Sequence, residues 1–162
     1  MFARLETTVA REFGQNDMDE IFSSKGKHVV PDITGDGVPD FVEVSVEKGG
    51  RVYECVGVEE NDEWKQFETT RSLLMIEKGV YNKSGGLMGS GESYILDKYV
   101  YNEDYKNCVG TYSKDEHFPT AWGLGILLPE VKDYNGDNKN DVSYWKFMGR
   151  DVGYRQIIQL GE

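Results

Sequence analysis

The sequence predicts a mainly β fold with a short helical segment near its N-terminus. Three observations carry that expectation. Apolar and polar residues alternate over strand-length segments, most clearly in Val42-Glu-Val-Ser-Val-Glu47, the period of a half-buried strand. The composition includes 19 glycines, 10 tyrosines, 7 phenylalanines and 3 tryptophans, which favours strands and turns over a helical bundle. Finally, one unit occurs twice, from Asp32 and again from Asp133. Each copy runs apolar approach, Asp-rich loop, alternating strand, glycine turn and second strand, and repetition says more about architecture than any single motif.

A chain of 162 residues fits one domain with a substantial core. We divide 1–162 into a helical segment (1–27), a first loop–hairpin unit (28–58), an irregular β middle (59–120) and a second loop–hairpin unit (121–162). Hydrophobic residues make up 38% and charged residues 29%, a balance that excludes global disorder. The net charge of −11 repels phosphate backbones and anionic headgroups, so nucleic acid is not an expected partner. No apolar run reaches the ~18 residues of a membrane-spanning helix, so membrane insertion is not expected. Met1-Phe-Ala-Arg-Leu-Glu6 has neither a long apolar stretch nor a small-residue cleavage site, so no signal peptide is visible. Cys55 and Cys108 form no Cys-x-x-Cys pair. One disulfide and two buried thiols both remain open.

In chain order, Phe2, Leu5, Val9 and Phe13 recur at helical spacing, which predicts an amphipathic helix stopping near Gly14 and covering a sheet. Asn16 or Asp17 is placed to cap a further turn carrying Met18, Ile21 and Phe22. Ser23 to Lys27 reads as a loop, and His28 to Pro31 as an apolar approach to the first Asp loop. Strands follow at Val42–Val46 and Val52–Val58, separated by the turn Lys48-Gly-Gly-Arg51. Glu59 to Glu63 is an acidic turn. Short strands are expected at Trp64–Phe67, Ser72–Ile76, Ser93–Tyr101 and Cys108–Tyr112. Exposed loops or turns are expected at Gly79–Gly91, Asn102–Asn107 and Ser113–His117. Ala121 to Leu128 is apolar and leads through Pro129 to the second Asp loop. That loop runs into a strand at Val142–Met148, a turn at Gly149–Gly153 and a last strand at Tyr154–Leu160.

The loops carry the chemistry. Counting from their first aspartate, positions 1, 3, 5 and 9 are Asp32, Thr34, Asp36 and Asp40, then Asp133, Asn135, Asp137 and Asp141. Oxygen side chains at alternate positions of a tight loop converge on one point. With the main-chain carbonyl of Val38 or Lys139 at position 7, and water, they would supply the roughly 6–8 hard oxygen ligands that Ca²⁺ prefers. Position 6 must tolerate a left-handed backbone, and Gly37 and Asn138 are suited to it. Mg²⁺ holds its waters too firmly for such a cage, and zinc or copper would want His or Cys. Up to two calcium ions are therefore expected. The bland alternative is a pair of Asx-rich turns with no ion. A helix–loop–helix is not expected although Glu43 stands at position 12, because Pro39 removes a backbone donor and an alternating strand follows.

Asp-Ile-Thr-Gly-Asp-Gly-Val-Pro-Asp-Phe-Val-Glu-Val and Asp-Tyr-Asn-Gly-Asp-Asn-Lys-Asn-Asp-Val-Ser-Tyr-Trp resemble the calcium loops of FG-GAP/VCBS-type repeats of integrin-like β-propellers. The resemblance implies a loop that links strands while its Asp side chains hold Ca²⁺. It is limited to the two loops and the strands after them. A propeller needs at least about four blades, so two related hairpins in one compact domain are expected here, not a complete propeller.

Other features have plainer readings. Gly86-Leu-Met-Gly-Ser-Gly-Glu-Ser93 mimics a phosphate-binding loop, but Glu92 occupies the lysine position and would repel phosphate. His28 and His117 read as surface histidines. Tyr99, Tyr101, Tyr105, Tyr112, Trp122, Tyr134 and Trp145 could stack on a sugar, though aromatic residues on strands more often serve the core. The sequence thus favours a non-enzymatic, calcium-stabilised β domain. A carbohydrate- or protein-binding module is the alternative, and a hydrolase with an acidic cleft the third. Weak calcium sites fill where calcium is near millimolar, which points to a periplasmic or extracellular setting.

Overall fold

The computed structural model describes residues 2–47, 64–106, 124–149 and 151–161. Two four-stranded antiparallel sheets are built from them. In chain order the strands are β1 (Phe2–Arg11), β2 (Gly26–Val30), β3 (Asp40–Glu47), β4 (Trp64–Tyr81), β5 (Leu87–Lys106), β6 (Ile126–Lys132), β7 (Asp141–Phe147) and β8 (Tyr154–Gly161). A 3-10 turn, Gln15–Asp17, and one short helix, α1 (Met18–Ser23), lie between β1 and β2. One sheet has the order β2-β3-β4-β5, and the other β1-β8-β7-β6. Among the described residues neither sheet closes into a barrel or forms propeller blades.

The expected mainly β class is therefore observed, and so is the repeat. β2–β3–β4 and β6–β7–β8 are the same meander, each with an Asp loop between its first two strands. The alternation in β3 puts Val42 and Val44 inside. They meet Leu74 and Ile76 of β4, Ile126 of β6, Val142 and Tyr144 of β7 and Ile157 of β8 in one core shared by both sheets. Each such aliphatic side chain contributes about 1.5–3 kcal/mol on burial, so this seam is what holds the sheets face to face. Residues of opposite parity on β7 and β8, Phe147 and Tyr154, form a second cluster with Phe13, Leu124, Leu127 and Ile21 of α1. Ile21 thus anchors the short helix in this cluster, next to β6. Asp17 stands at the N-cap position, as the sequence suggested, but its carboxylate bonds no helix amide: it accepts the Gly14 amide and an ion pair from Arg11, both at 2.9 Å.

Several expected elements differ. The segment carrying Phe2, Leu5 and Val9 is strand β1, not a helix. It pairs with β8 from Phe2↔Gly161 to Arg11↔Tyr154, with a bulge between Glu6 and Ala10. Leu5 and Val9 remain 49% and 50% exposed, so the helical stripe has no surface to bury against. Instead Phe2–Glu6, with Ala10 and Arg11, supply the ladder that covers the edge of β8, and Thr7–Val9 form the bulge between the two paired stretches. The two short strands expected at Trp64–Phe67 and Ser72–Ile76 are one strand, β4. Its partner β5 continues through Asn102–Lys106, where a turn was expected. The glycine-rich loop shrinks to Asn82–Gly86, because the Asn82 side chain accepts the amides of Ser84 and Gly86 at 2.9 and 2.8 Å and closes a tight hairpin. Gly79 and Gly89 face each other within the ladder. β2 starts at Gly26, inside the expected loop. The partner of β3 is β4, with Phe41 opposite Glu77. The expected strands Val52–Val58 and Cys108–Tyr112, the turns Lys48–Arg51 and Glu59–Glu63, the loop Ser113–His117, both cysteines and Trp122 lie outside the described residues.

Candidate metal centre

Each Asp loop is the connection of a β-hairpin and is closed by its own last aspartate. Val30 of β2 pairs with Asp40, and Lys132 of β6 pairs with Asp141. These two aspartates open β3 and β7 and are fully buried. A buried carboxylate is costly unless its oxygens are bonded. Asp40 Oδ2 accepts the amides of Ile33 at 2.6 Å and Thr34 at 3.0 Å, and Oδ1 accepts the amide of Gly79 at 3.0 Å. Asp141 repeats this with the amides of Tyr134 and Gly161, both at 2.8 Å.

The first aspartates fold the loops. Asp32 accepts the amides of Gly35 at 2.9 Å and Gly37 at 2.8 Å, and the Thr34 hydroxyl at 3.3 Å. Asp133 accepts the corresponding amides of Gly136 and Asn138, both at 2.8 Å. Gly37 and Asn138 have φ of +80° and +65°, the left-handed backbone expected at position 6. Burial pushes the Asp32 carboxyl up, but the amides of Gly37 and Gly35 outweigh it and hold the group below the usual carboxylate value. Asp133 is held down in the same way, with Asn138 and Gly136 donating. Asp36 and Asp137 are exposed, and each accepts one amide at 3.0 Å, from Val38 and Lys139 respectively.

The result is two triads, Asp32–Asp36–Asp40 and Asp133–Asp137–Asp141. Within each, carboxylate oxygens lie within 4.8 Å of one another. Two unit charges about 4 Å apart near a protein surface repel by about 4 kcal/mol. The amide donors offset part of that, and a divalent cation would reverse its sign. The donor set is all oxygen, with one buried, one half-buried and one exposed carboxylate in each triad, so solvent retains access. Thr34 sits inside the first triad, its hydroxyl also 3.5 Å from Asp40. Asn135 lies against Asp137, its Nδ2 donating at 3.4 Å and its Oδ1 accepting the Asp137 amide at 3.3 Å. Glu43 lies on β3 between Lys27 and Met75, so a strand and not a helix leaves the first loop. His28 faces solvent, with Nε2 3.0 Å from the Lys25 carbonyl.

Four features were not anticipated from the sequence. Gly79 and Gly161 deliver amides to the buried aspartates from the third strand of each repeat. A Cβ on Gly79 would stand 1.9 Å from the Pro39 carbonyl oxygen, and one on Gly161 2.5 Å from that of Asn140. The Lys78 ammonium lies 3.7 Å from Asp36. The Asn140 side chain crosses to the other loop and donates to the Asp32 main-chain carbonyl at 2.8 Å. Beside the first loop, Phe2, Thr34, Tyr94, Ile95 and Gln159 line an open cleft of about 570 Å³. Each of these depends on pairing between distant segments, which no local pattern encodes. Of the aromatic residues considered for stacking, Tyr99 and Trp145 pack against the core, and the Tyr134 hydroxyl is bonded to Ser143.

No known family model, curated protein or solved structure matches the chain.

Proposed function

We propose that this is a calcium-binding β domain in which each ion fixes a hairpin loop between the first two strands of a repeated unit. The observation that carries the reading is the position-for-position identity of the two aspartate triads. Asp32, Thr34, Asp36 and Asp40, with the Val38 carbonyl, would hold one ion. Asp133, Asn135, Asp137 and Asp141, with the Lys139 carbonyl, would hold the other. Hard oxygen donors in a flexible, water-accessible loop suit Ca²⁺ better than Mg²⁺ or a transition metal. The likeness of both loops to FG-GAP/VCBS calcium loops supports the same ion. The role is structural: three mutually repelling carboxylates at the head of β3 or β7 become a bonded unit when the cation is present. A site of this kind suits a calcium-rich, periplasmic or extracellular setting.

Native mass spectrometry in millimolar calcium tests the reading. Two ions per chain are expected, with one lost in Asp36→Ala and one in Asp137→Ala. A wild-type chain that carries no calcium there sinks it.

One observation favours a second role as a binding module. The cleft beside the first loop places the rings of Phe2 and Tyr94 6.4 Å apart, near the Thr34 and Gln159 side chains, a mixture of faces and hydrogen-bonding groups that suits a sugar ring. Glycan binding that disappears in Tyr94→Ala would support it, and an array without hits would remove it.

A further inference from the structure

We propose that the two loops bind their ions with positive coupling, transmitted through Asn140. The inference rests on the calcium reading above and adds to it a dependence of each site on the other.

Asn140 is the residue before Asp141, the buried ligand of the second loop. Its main chain is held on both sides. Its carbonyl oxygen packs on Gly161, where a Cβ would stand only 2.5 Å away. The Gly161 amide bonds Asp141 at 2.8 Å. Its side chain then leaves its own loop and donates to the Asp32 carbonyl at 2.8 Å, across 108 residues of sequence. Asp32 is the residue that folds the first loop, through the amides of Gly35 and Gly37. The last turn of one loop is therefore tied to the first residue of the other.

A second link runs through the core. Ile33, next to Asp32, and Val142, next to Asp141, are 8% and 0% exposed and belong to one packed cluster. Two packed, hydrogen-bonded segments of this kind move together or not at all. An ion that orders either loop fixes the shared element, and the ordering cost is then already met when the second ion arrives. Direct repulsion between the ions acts in the opposite sense, and salt near 0.15 M weakens it.

The first loop contains two reporters, the Gly35 and Gly37 amides. In Asp36→Ala the first loop cannot complete its triad, so calcium fills only the second. Filling it is expected to slow hydrogen exchange at Gly35 and Gly37 by about fivefold or more, the lower range of site-to-site coupling. In Asp36→Ala/Asn140→Ala the same filling should slow both rates clearly less, since only the link through the core remains. Wild-type protein in 0.15 M salt should in turn bind its second calcium more tightly, relative to the statistical expectation, than its first. Unaltered exchange at Gly35 and Gly37 with the second loop filled overturns the coupling and leaves the calcium reading intact. An equal slowing with and without Asn140 overturns the assigned route. Absence of calcium from wild-type protein overturns both readings. Melting curves establish that each variant is folded before exchange is read.

Discussion

At the scale of single residues, the least expected group is Asp97. It stands on β5, yet it accepts the Tyr144 hydroxyl at 2.5 Å and the Lys146 ammonium at 2.9 Å, both from the other sheet, with Arg4 of β1 at 3.6 Å. Gln159 completes the network by donating to the Tyr144 hydroxyl at 2.9 Å. The Asp97 side chain is only 9% exposed, so deleting it would leave Lys146 and Tyr144 without their shared acceptor. Breaking a buried pair from one side costs several kcal/mol. Asp97→Ala is expected to lower unfolding free energy by about 3 kcal/mol, measured by urea denaturation at neutral pH. Less than about 0.5 kcal/mol, the scale of an ordinary surface substitution, would show that the network is not holding the sheets. The same site sets an alkaline limit. Burial, reinforced by the bond to Asp97, raises the Tyr144 hydroxyl well above its usual value of 10.0, and burial pushes Tyr99 up to about 12. A group whose pKa is raised in the folded chain favours folding below the unfolded value and loses that contribution as pH rises. Stability should therefore hold up to about pH 10 and fall above it, with tyrosinate absorbance appearing alongside unfolding. Tyr144→Phe should flatten that fall, and an unaltered alkaline limb would place its origin elsewhere. Neither effect was legible in the sequence, because Asp97 meets Tyr144 only through the facing of two sheets.

At the scale of elements, what was legible followed from local chemistry. The strand after each Asp loop announces itself by period-2 alternation, and the loops by Asp, Asn and Gly at fixed offsets. β1 departs from the helix its sequence predicts because apolar spacing of three and four fits a helix only if a face exists to bury it. Pairing with β8 settled the matter instead. The long β4–β5 hairpin is not legible locally, because Gly79 and Gly89, facing each other in its ladder, look like loop residues in isolation. Gly79 shows why that position excludes a side chain: the Pro39 carbonyl oxygen occupies the place of a Cβ. The repeat extends to this third strand, since Gly161 stands to Asn140 as Gly79 does to Pro39. Gly79→Ala and Gly161→Ala should each be destabilising by about 1–3 kcal/mol, the range for forced overpacking. Gly79→Ala should cost more, because its clash distance is 1.9 Å against 2.5 Å. Each should also weaken calcium binding chiefly in the loop whose buried aspartate it serves. Calorimetric titration of the two variants checks this pairing. If both weaken the same loop, or neither weakens any, the third-strand glycines are not part of the sites.

At the scale of the whole molecule, the two loops are not appendages. The aspartates that close them, Asp40 and Asp141, are also the first residues of β3 and β7. Two residues along β3, and one along β7, come Val42 and Val142 of the shared core. Each loop's buried carboxylate also accepts a main-chain amide from the third strand of its own repeat. Ordering the loops should therefore stabilise the entire sandwich and not merely its end. Ligand held at a hundred times its dissociation constant stabilises a single-site protein by about 2.7 kcal/mol. For a domain of this size, 1 kcal/mol moves the melting temperature by about 2–4 °C. Each filled loop should thus raise the midpoint by about 5–10 °C, and EDTA should return it to the ion-free value. Asp36→Ala and Asp137→Ala should each remove about half of the calcium-dependent rise, and the double variant all of it. Magnesium at the same concentration should give much less, since it resists shedding water for a loop of protein oxygens. A single shifted transition is expected, because the loops and the core are one bonded unit. Identical melting in calcium and in EDTA would mean that the triads are hydrogen-bonded turns alone, closed by the amides that already bind Asp32, Asp40, Asp133 and Asp141.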